Sequence, residues 1–523
     1  MNRVVVSADR VSTARGVVGN AIVSAGGSVS GSGPLSDILS PGDTHYDYPG
    51  ATLLPGIRDA HLHPVPYAAA ISGVSLKTAK DMADLQRRLR AGAAAAPGEP
   101  LVALRLDDET LAEHRLPTRV DLDAAVDSVP VLAHRYCGHI AVANGAALAL
   151  AGIDAATADP SGGIIDRDPH GRPTGVLRET AIEIVSKALA GSHPVSADAV
   201  LAALRGLTGL GVTSLGAMVR VADGPWASLG NEVELLAEIA EELPLTVHAY
   251  VIADTELELG AARDLIDAAG SRLRWAGLKR FADGSLGGHT AAMFEPFSDA
   301  PDSTGTLRLS EDDESLARVC IEMGGSTAIH AIGDRACSRV IDLFAVLISE
   351  GADPAQLRLE HASVLTPRDI RRLGSLGVVA SVQPAFITSE TEWLQARVGA
   401  LRLNFTYPFR SLLEAGVVVA AGSDCPVEPP DPWLAMAVAR DRAGLTPAQQ
   451  LTAAEALGLF TDAAARALGE PRPLDPGTAA DFVVVDRDPL TCSPLELRDL
   501  EVIATYVAGE EVAVDRTLPT WND

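Results

Sequence analysis

The sequence has little of what marks disulfide-rich, nucleic-acid-binding or membrane proteins. Its five cysteines are odd in number and form no C-x-x-C pair, which argues against a disulfide framework and favours a reducing compartment. With 42 Lys and Arg against 69 Asp and Glu, the formal charge is −27, and no basic run offers nucleic acid or an anionic membrane a surface. We find no signal peptide and no apolar run of about 20 residues, so we expect a cytoplasmic protein.

Lysine is also rare, because positive charge is carried almost entirely by arginine. The chain has only four lysines, at Lys77, Lys80, Lys187 and Lys279. A hydrophobic share of 47% with 21% charged residues indicates a folded globular protein rather than a disordered one. At 523 residues the chain is long enough for one large barrel with an insertion and an accessory domain.

Both ends of the chain are rich in short strand-like runs. Such runs occur in the first 50 or so residues, around a Gly/Ser-rich stretch, and again from Asp481 to Val485 and from Val502 to Val512. We therefore predict a small composite β-sandwich domain from residues 1–56 and 475–523.

The middle of the chain alternates apolar strand-like runs with Ala/Leu-rich helical segments, which is typical of a parallel α/β fold. Nine candidate strands are one too many for a (β/α)8 TIM barrel, and the gap between the first and third is too long for a normal crossover. We assign the second to an insertion lobe after strand 1, at about 70–190, within a barrel spanning 57–474. The candidates are 52–57, 131–135, 212–216, 246–251, 276–281, 326–330, 357–361, 378–383 and 417–423.

Two imidazoles stand two residues apart in the segment Asp59-Ala60-His61-Leu62-His63, just after the apolar run 51–57. Side chains at positions i and i+2 of a strand point the same way, so His61 and His63 would project together, as two ligands of one metal ion do. By itself this pattern fits surface histidines equally well.

Further residues of metal-ligating type fall at the ends of later candidate strands. In a parallel barrel, active-site groups lie at the carboxyl ends of the strands. One such residue at a strand end could be a coincidence, but several of them at successive strand ends are much harder to explain in that way. Their common position therefore favours a functional site. The residues are Lys279, His330, His361 and Asp424.

This set of residue types supports metal-assisted hydrolysis. Imidazole and carboxylate suit a divalent ion such as Zn²⁺ with a coordination position left for water, whose pKa falls toward about 7. Asp424 would take a proton from that water and hand it to the leaving nitrogen. A neutral lysine reacts with CO₂ to give an anionic carbamate that bridges two metals, which arginine cannot do. This accounts for Lys279 in an arginine-dominated chain.

The same residues resemble the metal site of the amidohydrolase superfamily, and the surrounding segments resemble its YtcJ-like metal-dependent hydrolase branch. The resemblance covers nearly the whole chain. The segments that carry it are Lys279-Arg280-Phe281-Ala282-Asp283-Gly284, His330-Ala331-Ile332-Gly333-Asp334-Arg335-Ala336, Arg358-Leu359-Glu360-His361-Ala362, Ser381-Val382-Gln383-Pro384, Gly422-Ser423-Asp424-Cys425-Pro426-Val427 and Pro476-Gly477-Thr478-Ala479-Ala480-Asp481-Phe482-Val483-Val484.

The resemblance implies a role for each site residue. His61 and His63 would hold one metal and His330 and His361 the other, as two zinc ions bridged by carboxylated Lys279.

Asp424 would bind a metal and act as the catalytic proton shuttle. Asp59 would orient a ligand histidine from behind. His139, in the segment His134-Arg135-Tyr136-Cys137-Gly138-His139, would contact substrate, although a buried structural histidine fits that position equally well.

The leading hypothesis is therefore an enzyme that hydrolyses amide or related C–N bonds, other than peptide bonds, in a small molecule. A mononuclear deaminase on the same fold is the runner-up and would not need Lys279. A catalytically inactive binding protein would typically have lost ligands, and a sugar-processing barrel would need acids at two strand ends, where only Asp424 stands out. The substrate and the oligomeric state stay open, a homo-oligomer being compatible with the sequence.

Overall fold

Eight parallel strands form the centre of the protein. The structure is a computed structural model that describes residues 3–136, 138–160, 162–189, 195–221 and 230–512, so Cys137 lies outside the described residues. Neighbours along the chain are hydrogen-bonded neighbours in the sheet throughout, which confirms the (β/α)8 barrel. Barrel strands 1 to 8 are Ile57–Leu62, Val212–Arg220, Thr246–Ile252, Leu273–Phe281, Ser326–Ala331, Leu357–His361, Val379–Val382 and Val418–Ala421.

The barrel closes between barrel strands 8 and 1 through backbone contacts at their carboxyl ends. The Asp424 amide donates to the His61 carbonyl at 2.7 Å, and the His63 amide donates to the Cys425 carbonyl at 2.9 Å. This seam joins the first predicted ligand pair to the last predicted ligand. Two parts of the site that are far apart in sequence are thereby held in register.

Helices cover the outside of the barrel and bury their apolar faces against it. The Ala/Leu-rich segments 201–207, 232–243, 336–347 and 452–468 all contain helix. None of the helices within the described ranges is both long and apolar enough to cross a bilayer. The helices of the barrel are Pro64–Ser72, Ala197–Gly209, Glu232–Glu238, Glu256–Ala269, Glu311–Glu322, Asp334–Ser349, Pro367–Leu376, Phe386–Glu390, Leu394–Leu403, Phe409–Glu414, Pro432–Asp441, Ala453–Leu459 and Asp462–Ala467.

A lobe with its own sheet is inserted between barrel strands 1 and 2. Its Val131–Arg135 strand lies in this second sheet, as the assignment of 131–135 to an insertion predicted. Apolar clusters fill both faces of the sheet, which its helices Met82–Ala95, Arg119–Asp123, Gly145–Leu150 and Ala181–Ala188 cover. The six strands are Val74–Ser75, Leu101–Leu106, Val131–Arg135, Ile140–Ala143, Gly163–Arg167 and Pro173–Glu179.

Strands from both ends of the chain form a third sheet. The Phe482 and Tyr506 rings stack there at 4.5 Å between centroids, and two short helices, Leu35–Ile38 and Pro494–Arg498, accompany the sheet. The seven strands are Arg3–Thr13, Gly16–Ala25, Ser28–Gly33, Thr44–Pro55, Phe482–Val485, Val502–Val507 and Glu510–Val512.

The predicted first barrel strand was misplaced. Residues 52–55 end the long Thr44–Pro55 strand of the terminal sheet, and the barrel strand begins only at Ile57. One continuous apolar run therefore serves two sheets, and only Pro55-Gly56 marks the break between them. As a consequence His61 lies inside the barrel strand, and His63 follows it as the N-cap of helix Pro64–Ser72.

Candidate metal centre

All six predicted ligands line one cavity at the carboxyl end of the barrel strands, and His139 of the lobe lines it too. Lys279 lies inside barrel strand 4, two residues before its end, whereas Asp424 lies three residues beyond barrel strand 8. Every one of the six is at most 6% exposed. The fold therefore gathers groups that span more than 360 positions of the chain, from His61 to Asp424, into one buried cluster.

Three of these residues form the tightest group. Donor atoms of His61, His361 and Asp424 all lie within 4.8 Å of one another. His63 adds its Nε2 atom at 3.1 Å from Asp424 Oδ1. The His330 ring packs against the His361 ring at 4.4 Å between centroids. Imidazole and carboxylate at this spacing are the donor types that zinc and similar divalent ions take.

The hydrogen bonds of His61 fix which of its nitrogens faces the cluster. Nδ1 lies 2.5 Å from Glu360 Oε2, and because a carboxylate oxygen accepts, Nδ1 carries the proton. The buried Nε2 atom has no hydrogen-bond partner among the described residues and lies 3.3 Å from Asp424 Oδ1. Two lone pairs facing each other at that distance are stabilised only by a cation between them. This arrangement fits a metal ion, or in its absence a proton.

The same reasoning identifies the free nitrogens of two further histidines. His330 Nε2 lies 2.9 Å from the carbonyl oxygen of Gly284, which can only accept, so His330 Nδ1 keeps its lone pair. His361 Nδ1 donates to Gln383 Oε1 at 2.8 Å, which leaves the lone pair of that imidazole on Nε2. Partners that lock the tautomer and ring orientation in this way are a regular feature of metal-binding histidines.

The charges of the cluster are strongly coupled. Burial alone would raise the pKa of Asp424, but His61, His63 and His361 outweigh it and hold that pKa well below its usual range. Burial lowers the pKa of His61, yet Asp424 and Glu360 more than reverse this, and the net shift is upward. The carboxylate is thus kept ionised, ready to bind a cation.

Lys279 is in an environment that favours its neutral form. It is 1% exposed, and its Nζ atom lies 3.9 Å from the centroid of the Phe281 ring. Within the described ranges no carboxylate lies within ion-pair distance of Nζ. Burial is the main reason that its pKa falls to about 8. Roughly a tenth of such amines are neutral at pH 7, far more than for an ordinary lysine.

Two of the predicted ligands have strained backbones. His361 has a φ of 72° and Asp424 a φ of 55°, in the left-handed region that residues other than glycine rarely adopt. Such conformations persist where the surrounding structure over-determines them, and they concentrate at functional sites. The strain therefore agrees with a role for both side chains beyond packing.

Asp59 lies behind the cavity wall rather than in it. Its Oδ1 atom accepts from the His61 amide at 3.0 Å, and its Oδ2 atom accepts from the Ser423 hydroxyl at 2.6 Å. It therefore holds the backbone of the seam between barrel strands 1 and 8, while Glu360 contacts the ring of His61.

Glu360 itself is a residue that the sequence reasoning missed. Arg358 Nε donates to Glu360 Oε1 at 2.9 Å, and both side chains are fully buried. The Arg358 guanidinium also stacks over the Tyr250 ring at 4.4 Å. Opposite charges at positions i and i+2 of an otherwise apolar strand were the available signal, because they predict a buried ion pair on one face.

His139 connects the lobe to the barrel. Its Nδ1 atom lies 2.9 Å from Glu179 Oε2 in the last strand of the lobe, and the same oxygen accepts from Arg308 Nη1 at 2.7 Å. The His139 ring lies 5.4 Å from the His330 ring between centroids. His139 is thus fixed at the edge of the cavity beside a predicted ligand.

A parallel (β/α)8 barrel with buried histidines and a carboxylate at its strand ends has the architecture of a metal-dependent barrel hydrolase. A family model described as "Amidohydrolase family" matches residues 46–513. The chain belongs to the amidohydrolase family and is a hydrolase, which confirms the resemblance seen in its motifs.

Three relatives give the likeness more detail. YtcJ of Bacillus subtilis (strain 168), an amidohydrolase by name, is 30% identical over 90% of this chain and 91% of its own. The N-substituted formamide deformylase of Arthrobacter pascens is 28% identical over 96% of each chain. The crystal structure of an uncharacterized metal-dependent hydrolase from Pyrococcus horikoshii OT3 has a TM-score of 0.75 at 29% identity, covering 94% of this chain and 99% of the other.

Proposed function

We propose that the protein hydrolyses a carbon–nitrogen bond of an amide, using a binuclear metal site held by His61, His63, Lys279, His330, His361 and Asp424. The observation that carries this proposal is the buried group of His61, His361 and Asp424, whose donor atoms lie within 4.8 Å of one another. The lone pair of His61 that faces Asp424 supports it, because that contact needs a cation.

The donor set suits zinc. His61 and His63 would hold one ion and His330 and His361 the other. For His61, His330 and His361 the ligand atoms would be the ring nitrogens that keep a lone pair. When bound, the metal supplies Lewis acidity toward the substrate carbonyl and lowers the pKa of water toward about 7.

Lys279 completes the site as a carbamate. The ammonium first gives up one proton to water, and the neutral amine then attacks CO₂, forms an N–C bond and releases a second proton, which leaves a bidentate carbamate anion. Burial that lowers the pKa of Lys279 supports this step, because only the neutral amine is nucleophilic. An unmodified ammonium would instead repel the cations that the four histidines gather.

Asp424 is the proton carrier. Its depressed pKa keeps it ionised, so that it accepts a proton from the attacking water and passes it to the leaving nitrogen as the C–N bond breaks. His139 contacts the substrate from the lobe side of the cavity, where Glu179 fixes its ring. Asp59 positions His61 through the backbone.

The test is a turnover assay on zinc-loaded protein with N-formyl amines, N-acyl amines, cyclic ureas and lactones. The choice of N-formyl amines rests on the likeness to the formamide deformylase. We expect amine release from an N-formyl or N-acyl amine, and a kcat about 10²- to 10⁴-fold lower in Asp424→Asn. The exposed control Asp264→Asn removes the same charge outside the cavity and keeps activity. Full activity in Asp424→Asn would contradict the assignment of the proton carrier.

A mononuclear deaminase is the second candidate. It differs in two measurable respects: ammonia is released from an amino-substituted ring, and Lys279→Ala leaves the metal content unchanged. If the protein deaminates an amino-substituted ring and hydrolyses no amide, the mononuclear deaminase is favoured over the binuclear amidohydrolase.

A further inference from the structure

Glu428 is a buried acid in the cavity that the proposed chemistry does not use. It follows Asp424 by four residues, lines the same cavity and is 5% exposed. Its buried Oε1 atom has no hydrogen-bond partner among the described residues. Burying a carboxyl oxygen without a hydrogen-bond donor destabilises the fold by about 1–3 kcal/mol or more. We therefore expect Glu428 to have a function that offsets this cost.

Glu390 provides a second acid on the neighbouring wall. It ends the short helix Phe386–Glu390, whose Phe386 ring stacks on the His361 ring at 6.0 Å between centroids. Glu390 follows Phe386 by four residues, which is about 6 Å along the helix axis and about one turn, so both residues lie on similar faces of the helix. Glu390 Oε2 accepts from the Tyr407 hydroxyl at 2.6 Å, and both side chains line the cavity.

The protein's own cations do not neutralise this pair. Burial raises the pKa of Glu428, and burial together with Glu428 raises the pKa of Glu390 to about 8. At Glu428, the charges of Lys77 and Arg105 lower the pKa, but by less than burial raises it. At Glu390, the charges of Arg397 and Arg135 likewise lower the pKa without offsetting the effect of burial.

Three of these cations are engaged by other acids. Lys77 Nζ lies 3.5 Å from Asp107, Arg135 Nε lies 2.5 Å from Asp108, and Arg397 Nε lies 2.6 Å from Asp299. Within the described ranges, no Lys or Arg nitrogen lies within ion-pair distance of Glu428 or Glu390.

We propose that Glu428 and Glu390 form a subsite for an amino group of the substrate, remote from the bond that is cleaved. A primary ammonium supplies three N–H donors, enough to bond to the carboxyl groups of Glu428 and Glu390 that line the cavity. The preferred substrates are then N-formylated or N-acylated diamines rather than amides that end in a methyl or carboxylate group. This inference rests on the proposed amide hydrolysis for the substrate class, but the subsite itself can be tested without turnover.

The kinetic test compares N-formyl derivatives of equal length that end in an ammonium, a methyl or a carboxylate group. We expect kcat/KM for the ammonium-ended compound to exceed that for the methyl-ended one by about 10- to 100-fold. In Glu428→Gln, which keeps shape and removes the charge, this ratio falls toward one. The exposed control Glu322→Gln keeps the wild-type ratio. A wild-type ratio near one, or a ratio unchanged in Glu428→Gln, overturns the proposal.

A binding test separates this proposal from the proposed function. Calorimetric titration of the zinc-loaded protein with n-hexylamine and with n-hexanoate needs no turnover. We expect wild type to bind hexylamine more tightly than hexanoate. In Glu428→Gln the ratio of the two affinities should fall toward one or invert. If no amide is hydrolysed while this order holds, the proposed reaction fails and the subsite stands. If amides are hydrolysed but hexylamine binds wild type and Glu428→Gln equally, the subsite fails alone. Thermal melting of both variants verifies that each is folded.

Discussion

The Nδ1 atom of His61 lies 2.5 Å from Oε2 of Glu360, although 299 residues separate the two in sequence. This contact decides the chemistry of the cluster, because it places the proton of the imidazole on the outer nitrogen and turns the other lone pair toward Asp424. Glu360 is in turn held by Arg358, which lies in the same strand. A buried ion pair behind the cavity thus sets the orientation of a predicted metal ligand.

Replacing Glu360 with glutamine should weaken metal binding about 10- to 100-fold, since the ring of His61 loses its charged partner. Competition with a chromophoric zinc chelator measures this affinity. The variant should also melt at a lower temperature, because Arg358 is left with an uncompensated charge in the core. Glu322→Gln, at an exposed helix position, is the control and should change neither property. An unchanged zinc affinity in Glu360→Gln would mean that His61 is oriented by something else.

Gly422 is required at the seam between barrel strands 8 and 1. A Cβ atom there would lie 2.4 Å from the His61 amide nitrogen and 2.7 Å from Asp59 Oδ1. Since backbone cannot move aside, Gly422→Ala should destabilise the protein by about 1–3 kcal/mol and lower its activity. Gly260→Ala is the matched control, because its new methyl group would meet only Met323 Cε at 3.7 Å within a helix. Equal melting temperatures for the two variants would contradict the close approach.

Lowering the pH should weaken the contact between lobe and barrel, because this contact depends on the ionised carboxylate of Glu179. Burial raises the pKa of Glu179, but His139 and Arg308 outweigh it and lower the pKa to about 2. The pKa of an unperturbed glutamate in the unfolded chain is about 4.3. Because the pKa of Glu179 is lower in the folded protein, its ionised form stabilises the fold at pH values above about 4.3, and this stabilisation is lost as the pH falls toward 2.

Scanning calorimetry of wild type and Glu179→Gln at pH 6 and pH 3 tests this prediction. At pH 6 the wild type should have a higher melting temperature than Glu179→Gln. At pH 3 the difference between their melting temperatures should be smaller. Glu455, whose pKa is also about 2, is a more exposed carboxylate that pairs with Arg410 and does not line the cavity, and it provides a comparison in Glu455→Gln. A difference that stays constant with pH would contradict the assigned role of Glu179.

The sequence revealed most of the site because function in a parallel barrel concentrates at strand ends. His330, His361 and Asp424 could be read directly from the last residues of apolar runs or just beyond them. The error at 52–57 arose because one apolar run serves two sheets, and apolar content alone does not show where a chain leaves one sheet for another.

The supporting residues were harder to predict, since their partners are distant in sequence. Glu360 contacts His61 across the barrel interior, and Gln383 contacts His361 from the next strand. Glu390 and Glu428 lie beyond the ends of their strands, where no periodicity distinguishes a cavity wall from a surface loop. Only the folded chain shows that both face the predicted ligands.

The role of Lys279 is the central claim, and metal stoichiometry tests it most directly. Elemental analysis of zinc-loaded, desalted protein should give about two metal ions per chain for wild type and at most about one for Lys279→Ala. Lys80→Ala, an exposed lysine of the lobe, should bind as much metal as wild type. One ion per chain in wild type and Lys279→Ala alike would contradict the binuclear, lysine-bridged site.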